Sequence, residues 1–363
     1  MKSFLKKLIS RTLIDKVRHY LSQFDRLIIP FFACHPILSS LYYSFFSRQF
    51  AREHQAVLKG RIAYNQSLLN IENSSVLLRR NTHRLEKGLI MRPRRDMFAS
   101  AYIGETVACY VKCVNAATLC DSELKWASDV LTAYFSAVID SPNIMVLRNE
   151  FQASQIKFSD ENSQENALTD EKFIPYQQSS RNFTAITAEQ LKGLFIQRRS
   201  VRWYKQNPVE IALIKQAVSL AALAPSACNR QPFEFYYLAG KDAVNVAKLA
   251  MGTAGFAENI PALFVVVGDL GAYPAERDKH VIYIDASLAA MQLMLALETL
   301  GLSSCPINWP DVEFREVIMA KKLKLGLHQR PIMLMSVGYA DNEGMIPYSQ
   351  KKNVKQLLKE VKL

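Results

Sequence analysis

The sequence predicts an α+β protein: a mainly helical, basic N-terminal region followed by a C-terminal half that mixes helices with apolar strands. Three observations carry this. Residues 51–140 contain long stretches without Pro or Gly and show apolar residues at helical spacing. Residues 151–182 then turn polar, rich in Gln, Ser and Asn, as a linker would. Beyond them, helical patterns at 188–199 and 208–223 lead into the apolar run FEFYYL at 233–238, which reads as a strand. A length of 363 residues fits two domains, or one with a large appendage. We therefore expect a basic helical region at 1–150, a polar linker at 151–187 and a folded domain at 188–363.

Composition narrows the function classes. Hydrophobic residues make up 49% and charged residues 21%, which excludes wholesale disorder, a collagen-like chain and a polytopic membrane protein. The formal charge of +12 favours anionic partners: phosphorylated cofactors, nucleic acid or acidic lipid. Six cysteines without a CxxC pair read as reduced thiols of a cytoplasmic protein.

At the N-terminus, Phe4, Leu5, Leu8, Ile9, Leu13, Ile14, Val17, Tyr20, Leu21 and Phe24 form a helical stripe, with Lys6, Lys7, Arg11, Arg18 and His19 off it. Residues 1–62 hold eleven Lys/Arg against three acids, and no signal peptide is evident. Residues 27–47 carry no Asp, Glu, Lys or Arg, but Pro30, Pro36, His35 and four serines argue against a span. Packing on the rest of the protein is the plainer expectation; peripheral contact of residues 1–50 with an anionic membrane is the alternative.

Cys109, Cys113 and Cys120 fall at i, i+4 and i+11, expected on one helical face as packing residues and not as metal ligands; no metal is expected. Segment 79–95, RRNTHRLEKGLIMRPRR, has seven Lys/Arg against Glu86. Gly88 reads as a helix C-cap, and Arg80, Arg84 and Lys87 share a face. A solvated basic face is the simple reading and a phosphate or other acidic ligand the sharper one. Nucleic acid is not expected, because no aromatic platform, zinc finger or helix-turn-helix accompanies the charge.

Thr187 or Ser180 starts the helix over 188–199. It runs into RRSVRWY, 198–204, where Arg198, Arg199 and Arg202 with the Ser200 hydroxyl suit one oxyanion. In NPVE, Asn207 reads as an N-cap, Pro208 as the first helical position and Glu210 as a box-like partner, for a helix over 208–223. APSACNRQPF then gives a polar turn with Ser226, Asn229 and Gln231, whose donor and acceptor groups suit a heterocycle edge or sugar-chain hydroxyls.

RRSVRWY followed about 25 residues later by PSACNRQPF resembles the start of the nitroreductase family of flavin mononucleotide (FMN) enzymes. FAENIPALFVVVGD (256–269), YIDASLAAMQLMLALETLGLSSCPINW (283–309) and RPIMLMSVGYADNEGMIPYSQKKNVKQLL (330–358) resemble its central strand, long core helix with flavin-facing loop, and last strand with C-terminal extension. The resemblance covers roughly 188–358. It implies a three-layer α+β sandwich with a mixed, mostly antiparallel sheet, and a homodimer sharing two sites. It further implies that Arg198, Arg199, Ser200 and Arg202 hold the phosphate and pyrimidine edge. Ser226, Asn229 and Gln231 would border the ribityl chain and ring. Pro306, Ile307 and Asn308 would form the loop near N5, and Lys351 with Lys352 would close on the phosphate.

This chain departs from the family at three points. Lys351 stands where Arg is usual, Phe233 follows QP where Trp is frequent, and Asn308, Trp309 and Asp311 replace a loop with glycine and an acid. The implied activity is two-step hydride transfer from NAD(P)H through flavin to a nitro, quinone or related acceptor, with no catalytic side-chain nucleophile; Cys228 and Cys305 read as packing residues. The upstream RxxxHRLEKGL-like stretch resembles nitroreductase-like proteins of bacterial surface-polysaccharide clusters. That leaves open a specialised polysaccharide-related or peptide substrate, or a flavin-binding scaffold at a membrane face.

Overall fold

The computed structural model describes residues 11–69, 74–116, 118–162 and 171–362. The chain divides into two compact units, Met1–Gln55 and Ala56–Leu363.

In the first unit, α1 (Arg11–Ala33) and α2 (Pro36–Phe45) form a helical hairpin. The first helix runs through Pro30, and His35 caps the second, accepting from the Ile37 N–H at 3.2 Å, with Pro36 in the first turn. The apolar stripe remains exposed at Tyr20, Leu21, Phe24, Leu27 and Phe31. Phe4, Leu5, Leu8 and Ile9 of the expected stripe, with Lys6 and Lys7 off it, lie outside the described residues. A third helix, α3 (Ala51–Ser67), runs into the second unit.

The second unit opens with a helical module: α4 (Val76–Leu89), α5 (Ile103–Ala116), α6 (Asp121–Ala137) and α7 (Pro142–Asn162). Its core gathers Leu78, Leu85, Val107, Tyr110, Leu131 and Tyr134. Phe151 and Phe158 belong to the same core. The expected boundary at 150 therefore falls inside α7, and the polar composition of 151–162 is that of a helix with one buried edge. Gly88 is not a C-cap: it sits within the last turn of α4, and Ile90 caps the helix. Cys109 and Cys113 are buried together on α5, but Cys120 is exposed at the N-cap of α6, because a chain break in helicity separates it from their face.

The basic segment is a solvated face only in part. Arg80 donates to the Tyr64 hydroxyl at 2.9 Å, and Arg84 lies 3.6 Å from the centre of the Tyr102 ring. Within the same segment Glu86 accepts from Trp126 Nε1 at 3.0 Å, tying α4 to α6. Lys87, Arg92, Arg94 and Arg95 do stay exposed.

The C-terminal half follows the three-layer plan. Thr187 starts α8 (Ala188–Gln197) with a capping box, its hydroxyl accepting from the Gln190 N–H while the Gln190 side chain returns to the Thr187 N–H. Helix α9 spans Ile211–Ala221, three residues shorter at its start than expected. Glu210, not Asn207, is its N-cap, and no side-chain bond caps it. Pro208 stays in the extended approach, where Val209 packs onto the core. Then follow β1 (Phe233–Ala239), α10 (Gly240–Ala247), β2 (Ala262–Asp269), α11 (Val281–Thr299), β3 (Ser303–Asn308), α12 (Glu313–Leu323), β4 (Gln329–Gly338) and a short α13 (Val354–Leu357).

The sheet order is β1-β2-β4-β3, and every strand pair is antiparallel. Among the described residues, parallel pairing is confined to an isolated bridge between Ser200 and Ser304. Alternation along β2 builds both cores. Ala262, Phe264 and Val266 face α9 and α11, while Leu263, Val265 and Val267 face α10 and α12. Gly301, at φ +76°, turns the chain from α11 into β3, a conformation that favours glycine.

Candidate cofactor site

The arginine-rich stretch leaves α8 and lies along β3. Val201 N–H donates to the Ser304 carbonyl at 3.1 Å beside the Ser200–Ser304 bridge. The buried Tyr204 hydroxyl donates to the Val201 carbonyl at 2.6 Å and pairs with Ser336 Oγ at 2.8 Å, pinning the stretch to β4. Arg198, Ser200 and Arg202 all act on Cys305, the third residue of β3. Burial pushes the Cys305 thiol up, and Arg202, Ser200 and Arg198 offset it in part; the group is a packed thiol, not a nucleophile. Arg199 is drawn back to the Phe195 carbonyl at 3.3 Å, and Arg202 lies 5.7 Å from the Phe256 ring centre.

Three buried polar atoms around this stretch have no hydrogen-bond partner: Arg198 Nε, Ser304 Oγ and, on the neighbouring carboxylate, Glu298 Oε1. Buried donors are rarely left unmade, and an anionic ligand would accept from both the Arg198 guanidinium and the Ser304 hydroxyl. A phosphate-bearing cofactor fits this donor set.

Pro306, Ile307 and Asn308 do not form a loop. They are the end of β3, paired with Met335, Leu334 and Met333 of β4. Pro306 is tolerated because β3 is an edge strand. Pro306 and Asn308 are exposed while Ile307 is buried, as strand alternation dictates. Beyond them, Trp309 Nε1 donates to Glu316 Oε1 at 2.6 Å, and the buried Arg330 reaches Asp311 Oδ1 at 2.5 Å. These contacts, invisible to local pattern reading, fix the segment that leaves β3.

The second motif forms a tight turn with three non-glycine residues in the left-handed region: Cys228 at φ 53°, Asn229 at 51° and Gln231 at 49°. Such conformations cost roughly 1–3 kcal/mol each and persist only when their surroundings hold them. Here Ser226 Oγ accepts from the Gln231 N–H at 3.0 Å, and Ala227 N–H donates to Asp285 Oδ2 at 3.0 Å. The Gln231 amide is engaged at both ends, donating to the Ala222 carbonyl at 2.7 Å and accepting from Arg79 Nη2 at 2.9 Å. Gln231 therefore holds the turn, its side-chain amide engaged by Arg79 and the Ala222 carbonyl. Arg230 lies 5.1 Å from the Tyr273 ring centre.

Asp285 and Glu298, at the two ends of α11, locate the motifs. The turn binds Asp285, while Glu298 accepts from Gln197 at 3.4 Å and feels Arg198. Thirteen residues of helix separate them, about 20 Å at 1.5 Å per residue. One chain thus brings the 198–202 stretch to β3 but holds the 226–231 turn far from both. Lys351 and Lys352 are exposed, and among the described residues no hydrogen bond or ion pair joins their side chains to either motif. No group of three His, Cys, Asp or Glu arranged for a metal occurs among the described residues.

The model of the nitroreductase family matches residues 196–254 and 240–339. An Archaeoglobus fulgidus protein that carries the name NADH dehydrogenase/NAD(P)H nitroreductase is 29% identical over 160 residues, spanning 43% of this chain and 88% of its own. A Thermus thermophilus NADH dehydrogenase is 26% identical over 184 residues, spanning 42% of this chain and 88% of its own. Among solved structures, an FMN-dependent nitroreductase of Clostridium difficile R20291 is 27% identical with a TM-score of 0.38, covering 44% of this chain and 92% of its own. The C-terminal half is thus the domain of an oxidoreductase. More narrowly, residues 196–339 are a nitroreductase-family domain, and members of that family are FMN-dependent and use NAD(P)H.

Proposed function

We propose that this chain is an FMN-dependent oxidoreductase that takes reducing equivalents from NAD(P)H and delivers them to a small nitro, quinone or related acceptor. The observation that carries the reading is the buried, unpartnered Nε of Arg198 beside Ser200, Ser304 and Arg202, inside the nitroreductase-family domain. When bound, FMN supplies the hydride chemistry in two half-reactions, with no nucleophile required of the protein. Arg198, Arg199, Ser200 and Arg202 hold its phosphate and pyrimidine edge in this reading, and their fixed charges favour the anionic cofactor. The segment Pro306–Asn308 borders the ring from its edge strand. The catalytic domain is 188–363, with Lys351 and Lys352 carried on an exposed tail that closes on the phosphate.

In this reading two copies complete each pocket. The motifs stand at opposite ends of α11, and between them Ile284, Leu288 and Met291 form an exposed apolar stripe at helical spacing. Packing α11 antiparallel against a second copy along this stripe sets the Ser226 and Asn229 turn of one chain beside the Arg198 stretch of the other. The six free cysteines support a reducing, cytoplasmic setting. The exposed aromatics of α1 and α2, with the basic surplus of residues 1–62, favour peripheral contact of residues 1–50 with anionic lipid.

Anaerobic mixing of freshly purified protein with NADH or NADPH tests the function. Flavin absorbance that bleaches supports it; a colourless protein that takes up no added FMN rejects it. Flavin colour that persists with both nicotinamides favours a specialised polysaccharide-related or peptide substrate, a reading supported by exposed Asn308 and buried Trp309 where many reductases carry glycine and an acid.

A further inference from the structure

We propose that Arg79 of the helical module is a positioning residue for the flavin-bordering turn 226–231, so that cofactor retention depends on a helix outside the nitroreductase-family domain. This rests on the FMN reading above. The geometry is specific. One guanidinium makes three directed bonds: Nε donates to the Asn229 carbonyl at 3.0 Å, Nη2 to Gln231 Oε1 at 2.9 Å and Nη1 to Glu123 Oε2 at 2.9 Å. Its side chain is only 15% exposed and that of Glu123 5%.

Glu123 is itself anchored by the Ser75 N–H at 2.9 Å and the Ser74 hydroxyl at 2.8 Å, at the start of α4. Trp126 of α6 packs beside the guanidinium, its ring centre 5.6 Å away. Arg79 is thus oriented from the helical module, and its two free edges clamp two of the three left-handed residues of the turn. A planar fork is needed for this; a lysine keeps the charge but cannot satisfy three acceptors in fixed directions.

Asn229 gains most from the clamp. Its carbonyl is held by Arg79, which sets the peptide plane at a left-handed residue and with it the direction of the Asn229 side chain. Gln231, with its amide fixed at both ends, closes the turn behind it. Without Arg79 the turn keeps its Ser226 and Asp285 bonds but loses the contacts that select this backbone conformation.

The test uses the full-length protein. Arg79→Lys and Arg79→Gln are compared with wild type for FMN dissociation constant, for the shift and vibronic shape of the bound-flavin absorbance band, and for thermal midpoint of the FMN-free form. Arg148→Ala, which removes a helical-module contact to the Phe135 carbonyl remote from the turn, is the control. We expect Arg79→Lys to weaken FMN binding at least about tenfold and to alter the band shape, with Arg148→Ala changing the midpoint but neither flavin property. A double-mutant cycle with Gln231→Ala should show coupling in FMN affinity. Wild-type affinity and spectrum in Arg79→Lys, whether or not its midpoint falls, overturn the inference while leaving the FMN reading intact. A wild-type protein that binds no FMN fails the underlying reading instead.

Discussion

Gly88 of α4 lies directly under the ring of Phe98: a Cβ placed on Gly88 would fall 2.2 Å from Cε2 and 2.3 Å from Cδ2 of that ring. The ring cannot swing aside freely. Phe98 packs edge-on against Tyr134 with centroids 5.0 Å apart, and the Tyr134 hydroxyl donates to its carbonyl at 3.0 Å. Glycine inside a helix sacrifices roughly 1 kcal/mol relative to alanine, and this contact explains why it is tolerated. Gly88→Ala is therefore expected to destabilise, by about 1–3 kcal/mol, despite its better helix propensity. Thermal or urea unfolding measures this, and Phe98→Leu in the same chain should recover part of the loss. An unchanged or raised midpoint in Gly88→Ala would contradict the packing described.

Removing Arg198 and Arg202 together should strip FMN. Charge-assisted hydrogen bonds contribute about 1.5–3 kcal/mol each, so the pair amounts to about a hundredfold or more in affinity. The ratio of flavin to protein absorbance after gel filtration of Arg198→Ala/Arg202→Ala reports it. Stoichiometric flavin in that variant would remove the phosphate site from this location.

The pH dependence of stability has a definite sign at Glu298. Burial raises its pKa above the ordinary carboxylate range, partly offset by hydrogen bonds from Gln197 and Ser303 and by the field of Arg198. The folded state thus binds this proton more tightly than the unfolded chain. Its contribution is fully present below the unfolded value and is lost as pH rises through the raised one. Glu298→Gln, which keeps an acceptor for Gln197, should gain stability relative to wild type on going from about pH 4 to about pH 8. Melting curves across that range decide it. A difference that is flat, or that runs the other way, would show the carboxylate to be ionised at no cost.

Truncation should separate the two units. Deleting residues 1–50 is expected to leave FMN binding intact and to reduce any binding to anionic vesicles. Deleting residues 1–62 removes Ala56 and Val57 from a cluster with Leu270, Tyr273 and Ile282, and removes Gly60, whose Cβ position lies 2.7 Å from Leu270 Cβ. Loss of Val57 burial alone is worth about 1.5–3 kcal/mol, so the longer truncation should melt at a clearly lower temperature. Flavin loss on the shorter truncation would mean that the first unit takes part in building the pocket.

Features set by local chemistry were readable from residues alone. Thr187 is one of two starts that the residues offer for α8, and the apolar run from Phe233 gives β1, while the strand at Ala262–Asp269 comes from the resemblance to the family's central strand. The order of four motifs pointed to the family and its layered fold. What escaped was set by contacts distant in sequence. Gly88 read as a helix stop because its reason, the Phe98 ring, arrives ten residues later from another direction. The resemblance places Pro306 in a loop, and nothing in its neighbourhood says that it will occupy an edge strand, where a missing N–H goes unnoticed. Gln231 read as a ligand group because its partners, Arg79 and the Ala222 carbonyl, are assembled only by folding. Arg79 itself belonged to a basic run whose charge suggested solvent, and the carboxylate of Glu123 on α6 with the Asn229 carbonyl and Gln231 amide explains its burial.

The placement of Asp285 and Glu298 at opposite ends of α11 has a genetic consequence. If each pocket draws its arginines from one subunit and its turn from the other, two differently crippled chains can repair each other. A protomer lacking Arg198 and Arg202, paired with one whose turn is disrupted, yields one doubly damaged pocket and one wholly intact pocket. Mixed dimers of two inactive proteins should therefore regain up to half the normal flavin content, and neither parent alone would show any.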